Sequence, residues 1–186
     1  MQSEESVEEF LKENLISEVE CLVPDITGNA RGKFIPANKF VKEDSRLPEG
    51  ILAQTVTGEY SDDFWELLGT VDGDMLLEPD PSTMREVPWA NEATVQIIHD
   101  CFTKDGKPHP FSSRNVLKRI LALYEAEGLK PVIAPEVEFY LIEKNIDPDS
   151  ALKPPIGRSG RHETARQSYS IDAANEFEDF VETMYS

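Results

Sequence analysis

Hydrophobic residues recur along the first half of the chain at spacings that switch between helical and strand-like periods. Residues 7–15 have helical spacing, whereas residues 18–35 alternate in two runs around a Gly28-Asn29 turn. That pattern predicts a short helix followed by a β-hairpin. The same criteria predict a short helix over 36–42, strands over 50–57, 73–78 and 93–103, a loop over 57–70 and an extended segment over 79–92.

The second half of the chain contains the clearest helix and one long apolar alternation. Ser112 or Ser113 caps a helix whose apolar stripe ends at Gly128. Residues 131–144 then alternate in the manner of a strand, and residues 145–168 lack any period and are predicted to be loop.

A domain boundary is predicted near Lys104. Residues 1–104 hold most of the strands of a small mixed sheet, and residues 105–186 give a helix, a strand and a helix, typical of the opening of a larger α+β domain. The last helix, with Asp172 as its predicted cap, carries an apolar face that runs to Ser186 without a terminating glycine or proline. That ending predicts a truncated chain.

Charge narrows the choice of partners. The chain has 18 basic and 36 acidic residues, a formal net charge of −18, which would repel a nucleic-acid backbone. No apolar run has the length of a membrane span, and the acidic N-terminus lacks a signal-peptide core. Cys21 and Cys101 are far apart and outside any CxxC motif, so they are predicted to be reduced core residues of a cytoplasmic protein rather than zinc ligands.

Two glutamates stand out in the predicted strand over 131–144. In a strand, Glu136 and Glu138 point to the same face with Cα atoms about 7 Å apart, while Val137 and Phe139 point to the other. Paired carboxylates repel one another unless a cation or water separates them. The pattern alone leaves two interpretations open: a divalent-metal site, or two glutamates in water on a half-exposed strand.

The flanking residues resemble a known signature. Ala134-Pro135-Glu136-Val137-Glu138-Phe139-Tyr140-Leu141 is similar to the strand motif of the glutamine synthetase family. Three further segments resemble that family in order and spacing: an early Asp-x-x-Gly-x-x-Arg-Gly-Lys hairpin, an Asp-Met-x-Leu-x-Pro-Asp strand, and an entry to the catalytic domain, here at 25–33, 74–80 and 105–117.

The resemblance implies a fold and a function. It implies a small β-grasp-like N-terminal domain followed by the truncated start of a glutamine-synthetase-type catalytic domain. The implied reaction is ATP-dependent ligation of ammonia or an organic amine to the γ-carboxylate of glutamate through an acyl phosphate. Mg²⁺ or Mn²⁺ is the implied cofactor, with Glu136 as a ligand of the metal nearer ATP and Glu138 of the metal nearer glutamate. A ring-shaped homo-oligomer with shared sites is also implied for the full-length protein.

One segment departs from the ammonia-using bacterial members, whose first-domain loop reads Phe-Asp-Gly-Ser-Ser and uses its Asp to help bind ammonium. Here the corresponding stretch is Val56-Thr57-Gly58-Glu59-Tyr60, with Thr57 in place of the Asp. The pattern is closest to the γ-glutamyl-polyamine synthetase-like branch, so an organic amine is a candidate acceptor. Glu59, with Asp62 and Asp63, would attract a cationic amine, although solvated loop acids also fit.

Two other interpretations stay open. In the first, the chain is a non-catalytic truncated relative that acts as a binding or assembly module. In the second, it is an unrelated acidic metal-binding domain without ATP dependence. The three histidines, His99, His109 and His162, are not clustered and are predicted to be structural or at the surface. A loop with Arg158, Arg161 and Arg166 could meet a phosphate or carboxylate, or balance local acids.

Overall fold

The computed structural model describes residues 4–60, 63, 66, 69, 72–165 and 167–185. These residues form two compact units, Met1–Val132 and Ile133–Ser186. Half of the predicted loop over 57–70 falls outside the described residues. The predicted boundary near Lys104 stays a prediction, since it separates sequence domains rather than these compact units.

The first unit is built on a six-stranded mixed sheet. The strands are β1 (Glu18–Pro24), β2 (Ala30–Pro36), β3 (Ser45–Pro48), β4 (Asp74–Pro79), β5 (Arg85–Glu86) and β6 (Thr94–Phe102). They lie in the order β2-β1-β6-β4-β3, and β5 pairs with β6. The β1–β2 hairpin and the strands over 73–78 and 93–103 are therefore confirmed as predicted elements.

The sheet has a parallel pair at its centre. β1 and β6 run parallel, with Val19 opposite Val95, whereas β2, β4 and β5 pair antiparallel with their neighbours. Alternating residues of β1 and β6 are buried, as the period of two requires. This register directs one face of both central strands into the core.

Two apolar clusters form that core. Helix α1 (Glu4–Glu13) packs Val7 and Leu11 onto the sheet, and helix α2 (Ala37–Phe40) adds the half-buried Phe40. The first cluster consists of Val7, Leu11, Val19, Cys21, Ile35, Met84, Val95 and Ile97. The second consists of Val23, Leu52, Met75, Leu77 and Cys101. The predicted burial of both cysteines is confirmed, and both are free thiols.

The strand predicted over 50–57 is wrong. The chain leaves the sheet at Pro48, which pairs with Asp74 at the first residue of β4, and enters a 3₁₀ helix over Glu49–Ala53. That helix buries Leu52 in the second core cluster. Glu49 N donates to the carbonyl of Gly73 at 2.7 Å, so the first amide of the 3₁₀ helix is hydrogen-bonded although it lies outside the β3–β4 ladder.

Helix α3 (Ser113–Ala126) has the predicted ends. The Ser112 side chain accepts a hydrogen bond from Asn115 N, and Gly128 follows the helix with a φ of 70°. Arg114 pairs with Asp80 and Asp100 on the sheet, and Asn115 donates to the carbonyl of Cys101 at 2.6 Å. Polar contacts therefore fix the start of α3, whereas its apolar stripe is exposed, with Leu123 at 61%.

The long strand predicted over 131–144 is wrong. Residues 131–147 have no strand assignment, and Ile133 and Val137, which the alternation placed in a core, are 75% and 81% exposed. A strand exists only where a neighbouring backbone pairs with it, and the described residues supply no such ladder to this segment.

The C-terminal helix is confirmed but begins earlier and is divided in two. Helix α4 (Ile171–Asn175) is capped by Ser170, whose hydroxyl accepts from Ala173 N, and helix α5 (Glu178–Tyr185) follows. The predicted cap Asp172 lies instead in the first turn of α4, where a carboxylate also stabilises the helix end. No helix within the described ranges is long and apolar enough to cross a bilayer.

The buried side chain of His99 is expected to make the folded protein less stable in mild acid. The ring is fully buried on β6, and Nδ1–H donates to the carbonyl of Ile97 at 2.9 Å. Burial lowers the pKa of His99 from 6.5 to about 4. Between these two pH values the unfolded chain binds a proton at His99 and the folded chain does not. The free energy of unfolding therefore decreases by about 3 kcal/mol as the pH drops from about 6.5 to 4.

Urea unfolding followed by far-UV circular dichroism between pH 7.5 and 4.5 measures this loss. His99→Leu is expected to flatten the pH slope, and His162→Gln, which removes an exposed histidine and leaves the His99 ring in place, is the control. Buried His109, whose pKa burial also lowers, adds a residual slope in the same direction. An unchanged slope in His99→Leu would contradict the assignment.

Candidate active-site segments

The two glutamates of the predicted metal site lie on an exposed segment of the second unit. Glu136 and Glu138 are both exposed, and within the described part of the chain neither carboxylate has a hydrogen-bond or ion-pair partner. Nearby, Phe139 contacts Phe180 of α5 edge-to-face, with ring centroids 5.8 Å apart. Phe139 therefore packs on its own unit, while the glutamates present free oxygen donors.

The carboxylate oxygens of Glu136 and Glu138 are of the type that a hard divalent cation prefers, but they are too few to fill its coordination shell. Carboxylate oxygens are the ligands that Mg²⁺ and Mn²⁺ prefer, and Mg²⁺ requires six in octahedral geometry. Among the described residues, no group of three or more His, Cys, Asp or Glu side chains is placed to hold a metal ion. Around these two glutamates, the described residues thus supply fewer donors than an octahedral ion requires.

The second candidate segment, residues 54–60, is a tight turn in the first unit. Thr55 N donates to Glu59 O at 2.8 Å, and Gly58 N donates to Thr55 O at 3.0 Å. Gly58 has a φ of 86°, a conformation that favours glycine. The Thr57 hydroxyl donates to Glu59 Oε2 at 3.3 Å. Thr57 and Glu59 are therefore brought together, and both are exposed.

A buried carboxylate organises the β1–β2 hairpin close to that turn. Asp25 Oδ1 accepts hydrogen bonds from Thr27 N, Thr27 Oγ1 and Asn29 N at 2.7–2.9 Å. Asp25 Oδ2 accepts from Arg31 Nε at 2.8 Å. Although burial raises the pKa of Asp25, these hydrogen bonds outweigh it, and the pKa lies below its usual value of 3.8. Asp25 is therefore a fixed negative charge.

Arg31 connects the hairpin to the turn. Its Nη2 donates to the carbonyl of Thr55 at 3.1 Å while its Nε remains on Asp25. Sequence reasoning noted this Asp and Arg only as parts of a motif and gave Arg31 no role. The predicted hairpin already contained a signal for this contact. Arg31 pairs with Val23, and Asp25, two residues further along, is its diagonal neighbour on the same face.

The histidines occupy structural positions. His99 is buried beneath Phe40, and its Nε2 has no hydrogen-bond partner among the described residues. His109 is buried, and its Nδ1 accepts a hydrogen bond from Phe111 N at 3.3 Å. Its Nε2 lies 3.9 Å from Glu49 Oε2. His162, partly exposed, hydrogen-bonds the carbonyl of Pro154 through Nδ1 at 2.9 Å.

The basic loop of the second unit is partly neutralised. Arg158 pairs with Glu178 at 3.1 Å, and Ser159 N donates to the Glu176 carboxylate at 2.8 Å. Arg161 is exposed and lines a cavity of about 400 Å³. Arg166 and Asp62 lie outside the described residues. These contacts favour a loop that balances local acids.

Comparison with known proteins defines the family. The family model described as the glutamine synthetase catalytic domain matches residues 110–186, a stretch that contains Glu136 and Glu138. Glutamine synthetase of Pyrococcus horikoshii is 36% identical over 129 residues, 68% of this chain and 26% of its own length. The chain belongs to the glutamine synthetase family.

Two of the relatives are named as ligases of organic amines. Gamma-glutamylputrescine synthetase PuuA of Escherichia coli K12 is 30% identical over 88% of this chain and 35% of its own length. Glutamate–isopropylamine ligase of a Pseudomonas species is 30% identical over 94% of this chain and 40% of its own length. The chain spans between 26% and 40% of the length of these three relatives.

A solved structure shares the fold. The crystal structure of a novel glutamine synthase homolog matches 60% of this chain and 27% of its own chain, with a TM-score of 0.53 and 19% identity. This likeness agrees with the mixed α+β architecture.

Proposed function

We propose that this chain forms part of an ATP-dependent glutamate–amine ligase. The match of residues 110–186 to the glutamine synthetase catalytic domain carries the proposal, because Glu136 and Glu138 stand there in the family's motif. In the proposed reaction, ATP phosphorylates the side-chain carboxylate of glutamate, and an amine attacks the acyl phosphate and displaces phosphate. This route separates one difficult substitution into two easier steps.

Glu136 and Glu138 are the proposed ligands for Mg²⁺ or Mn²⁺. Both side chains are exposed and have no partner among the described residues, which leaves their oxygens free for a cation. A bound divalent ion would neutralise phosphate charge during the transfer. Since the pair supplies too few ligands, the remaining ones are proposed to come from elsewhere in the complete protein.

An organic amine is the proposed acceptor. Thr57 stands where the ammonia-using bacterial members have an aspartate, and two relatives that align with most of this chain are named for putrescine and isopropylamine. The exposed Glu59 carboxylate beside Thr57 provides a negative charge suited to a protonated amine. The turn over 54–60 is therefore proposed as the acceptor-side segment.

The test uses the protein encoded by the complete reading frame around this chain. We expect the purified product to release phosphate from ATP only with glutamate and an amine. Putrescine and isopropylamine are compared with ammonium. The 186-residue chain by itself is expected to release no glutamate-dependent phosphate, because its described residues supply too few metal ligands. Turnover by the isolated chain would contradict the incomplete site, and a complete protein that releases no glutamate-dependent phosphate with any of these acceptors would contradict the proposed function.

The metal assignment can be tested in the isolated chain with Mn²⁺. We expect Mn²⁺ to broaden the amide NMR signals of residues 135–139 with weak affinity, about 10⁻³ M or weaker, since only two carboxylates are present. Glu136→Gln with Glu138→Gln should remove the broadening. The exposed pair Glu125 and Glu127, with the same spacing at the end of α3, gives the matched double-Gln control. Equal broadening in both double variants would overturn the site.

The remaining properties of the family resemblance are also proposals. The antiparallel hairpin whose first strand pairs parallel with β6 supports a β-grasp-like description of the N-terminal sheet.

Burial raises the pKa of both Cys21 and Cys101 to about 11, so the thiols are protonated and unreactive, which suits a reducing cytoplasm. Homo-oligomerisation of the complete protein is proposed from the resemblance alone.

A further inference from the structure

Arg31 joins a rigid part of the sheet to the exposed turn over 54–60. The Asp25 carboxylate is buried and accepts four hydrogen bonds, so its position is set by the hairpin. Its ion pair with Arg31 fixes the direction of the guanidinium, because Nε is held on Oδ2. The free end of that planar group then reaches the Thr55 carbonyl, 24 positions along the chain.

Thr55 makes several of the hydrogen bonds that hold the turn over 54–60. Its carbonyl accepts from both Arg31 Nη2 and Gly58 N, and its hydroxyl accepts from Glu59 N at 3.1 Å. The Thr55 and Thr57 hydroxyls lie 3.0 Å apart. Hydrogen bonds through Thr55 therefore link the Arg31 guanidinium to Thr57 and Glu59.

We propose that Arg31, oriented by Asp25, is a positioning residue that sets the Thr57–Glu59 pair for recognition of a protonated organic amine. The inference rests on the proposed function for the identity of the ligand. Arg31 itself does not touch the amine. A carboxylate and a hydroxyl held at a fixed separation bind one ammonium group through two hydrogen bonds, and loss of the fixed geometry weakens that binding.

Arg31→Lys separates positioning from charge. Lysine keeps the positive charge against Asp25, but a single ammonium cannot reproduce the fork that holds Asp25 and the Thr55 carbonyl together. Arg85→Lys is the matched control, since Arg85 also donates to backbone carbonyls, those of Ser82 and Met84, outside this turn.

Two measurements test the inference. In the isolated chain, Arg31→Lys is expected to speed amide exchange at Gly58 and Glu59 by about tenfold while Arg85→Lys leaves it unchanged. In the complete ligase, Arg31→Lys is expected to raise the KM for the amine by about tenfold, with the KM values for glutamate and ATP and the kcat little changed.

The outcomes distinguish the inference from the proposed function. Unchanged exchange at Gly58 and Glu59 overturns the Arg31 tether. Faster exchange with an unchanged KM for the amine overturns the link to amine recognition, as does an equal rise in the KM for glutamate. If the wild-type ligase uses no amine at all, the proposed function fails and the amine part of the inference fails with it, whereas the exchange result still decides the tether.

Discussion

Replacing Glu138 by alanine is expected to abolish turnover of the complete ligase, with kcat reduced by about 100-fold or more. The proposed role of Glu138 is to give an oxygen ligand to a divalent ion that neutralises charge on the transferring phosphoryl group. Glu138 is exposed and has no protein partner among the described residues. Its removal should therefore change the free energy of unfolding of the isolated chain by less than about 0.5 kcal/mol.

That separation of activity from stability makes the experiment decisive. Steady-state phosphate release is measured against metal concentration for wild type, Glu138→Ala and the control Glu127→Ala, whose carboxylate is exposed at the end of α3. The control should keep wild-type turnover. A Glu138→Ala enzyme that remains active with an unchanged metal dependence would remove Glu138 from the site.

Asp25→Ala is expected to destabilise the first unit by about 3 kcal/mol. The substitution removes the acceptor of four hydrogen bonds and leaves the partly buried Arg31 without its partner. Breaking one side of a buried ion pair is costly because the other charge stays desolvated. Asp44→Ala, at an exposed aspartate, should change stability by less than about 0.5 kcal/mol.

The pH dependence gives a second check on Asp25. Because its folded pKa is depressed below 3.8, its stabilising contribution is complete above the unfolded pKa and is lost as pH falls through the folded value. The stability difference between wild type and Asp25→Ala should therefore persist at pH 5 to 7 and shrink below about pH 4. Urea unfolding across that range measures it, and a constant difference down to pH 2 would contradict the hydrogen-bonded, ionised state of Asp25.

Local sequence patterns were sufficient for elements whose partners lie close in the chain. The hairpin over 18–35 was predictable because β1 and β2 pair across a short turn, and α3 because its cap Ser112 and the terminal Gly128 are local signals. The buried cysteines followed from the same alternation. The four ordered motifs also identified the family, which the family model and the relatives confirm.

Other features depended on long-range contacts that no local pattern encodes. The apolar alternation over 131–144 predicted a strand, yet a strand requires a neighbouring backbone, and the described residues provide none. Likewise, residues 50–57 were predicted to be a strand, but the β3–β4 ladder ends at Pro48 and Asp74 and a 3₁₀ helix over Glu49–Ala53 follows.

The sequence by itself determined the sheet hairpin and the main helix, because each depends on residues within a short stretch of chain, and it identified the family through four motifs in a fixed order. Only the tertiary structure decided which residues support the turn over 54–60. The Arg31 contact with Thr55 joins positions 24 apart, and its direction is set by a carboxylate that becomes buried only when the hairpin has folded. Burial and hydrogen-bond geometry are properties of the folded chain, and they give Asp25 and Arg31 their roles.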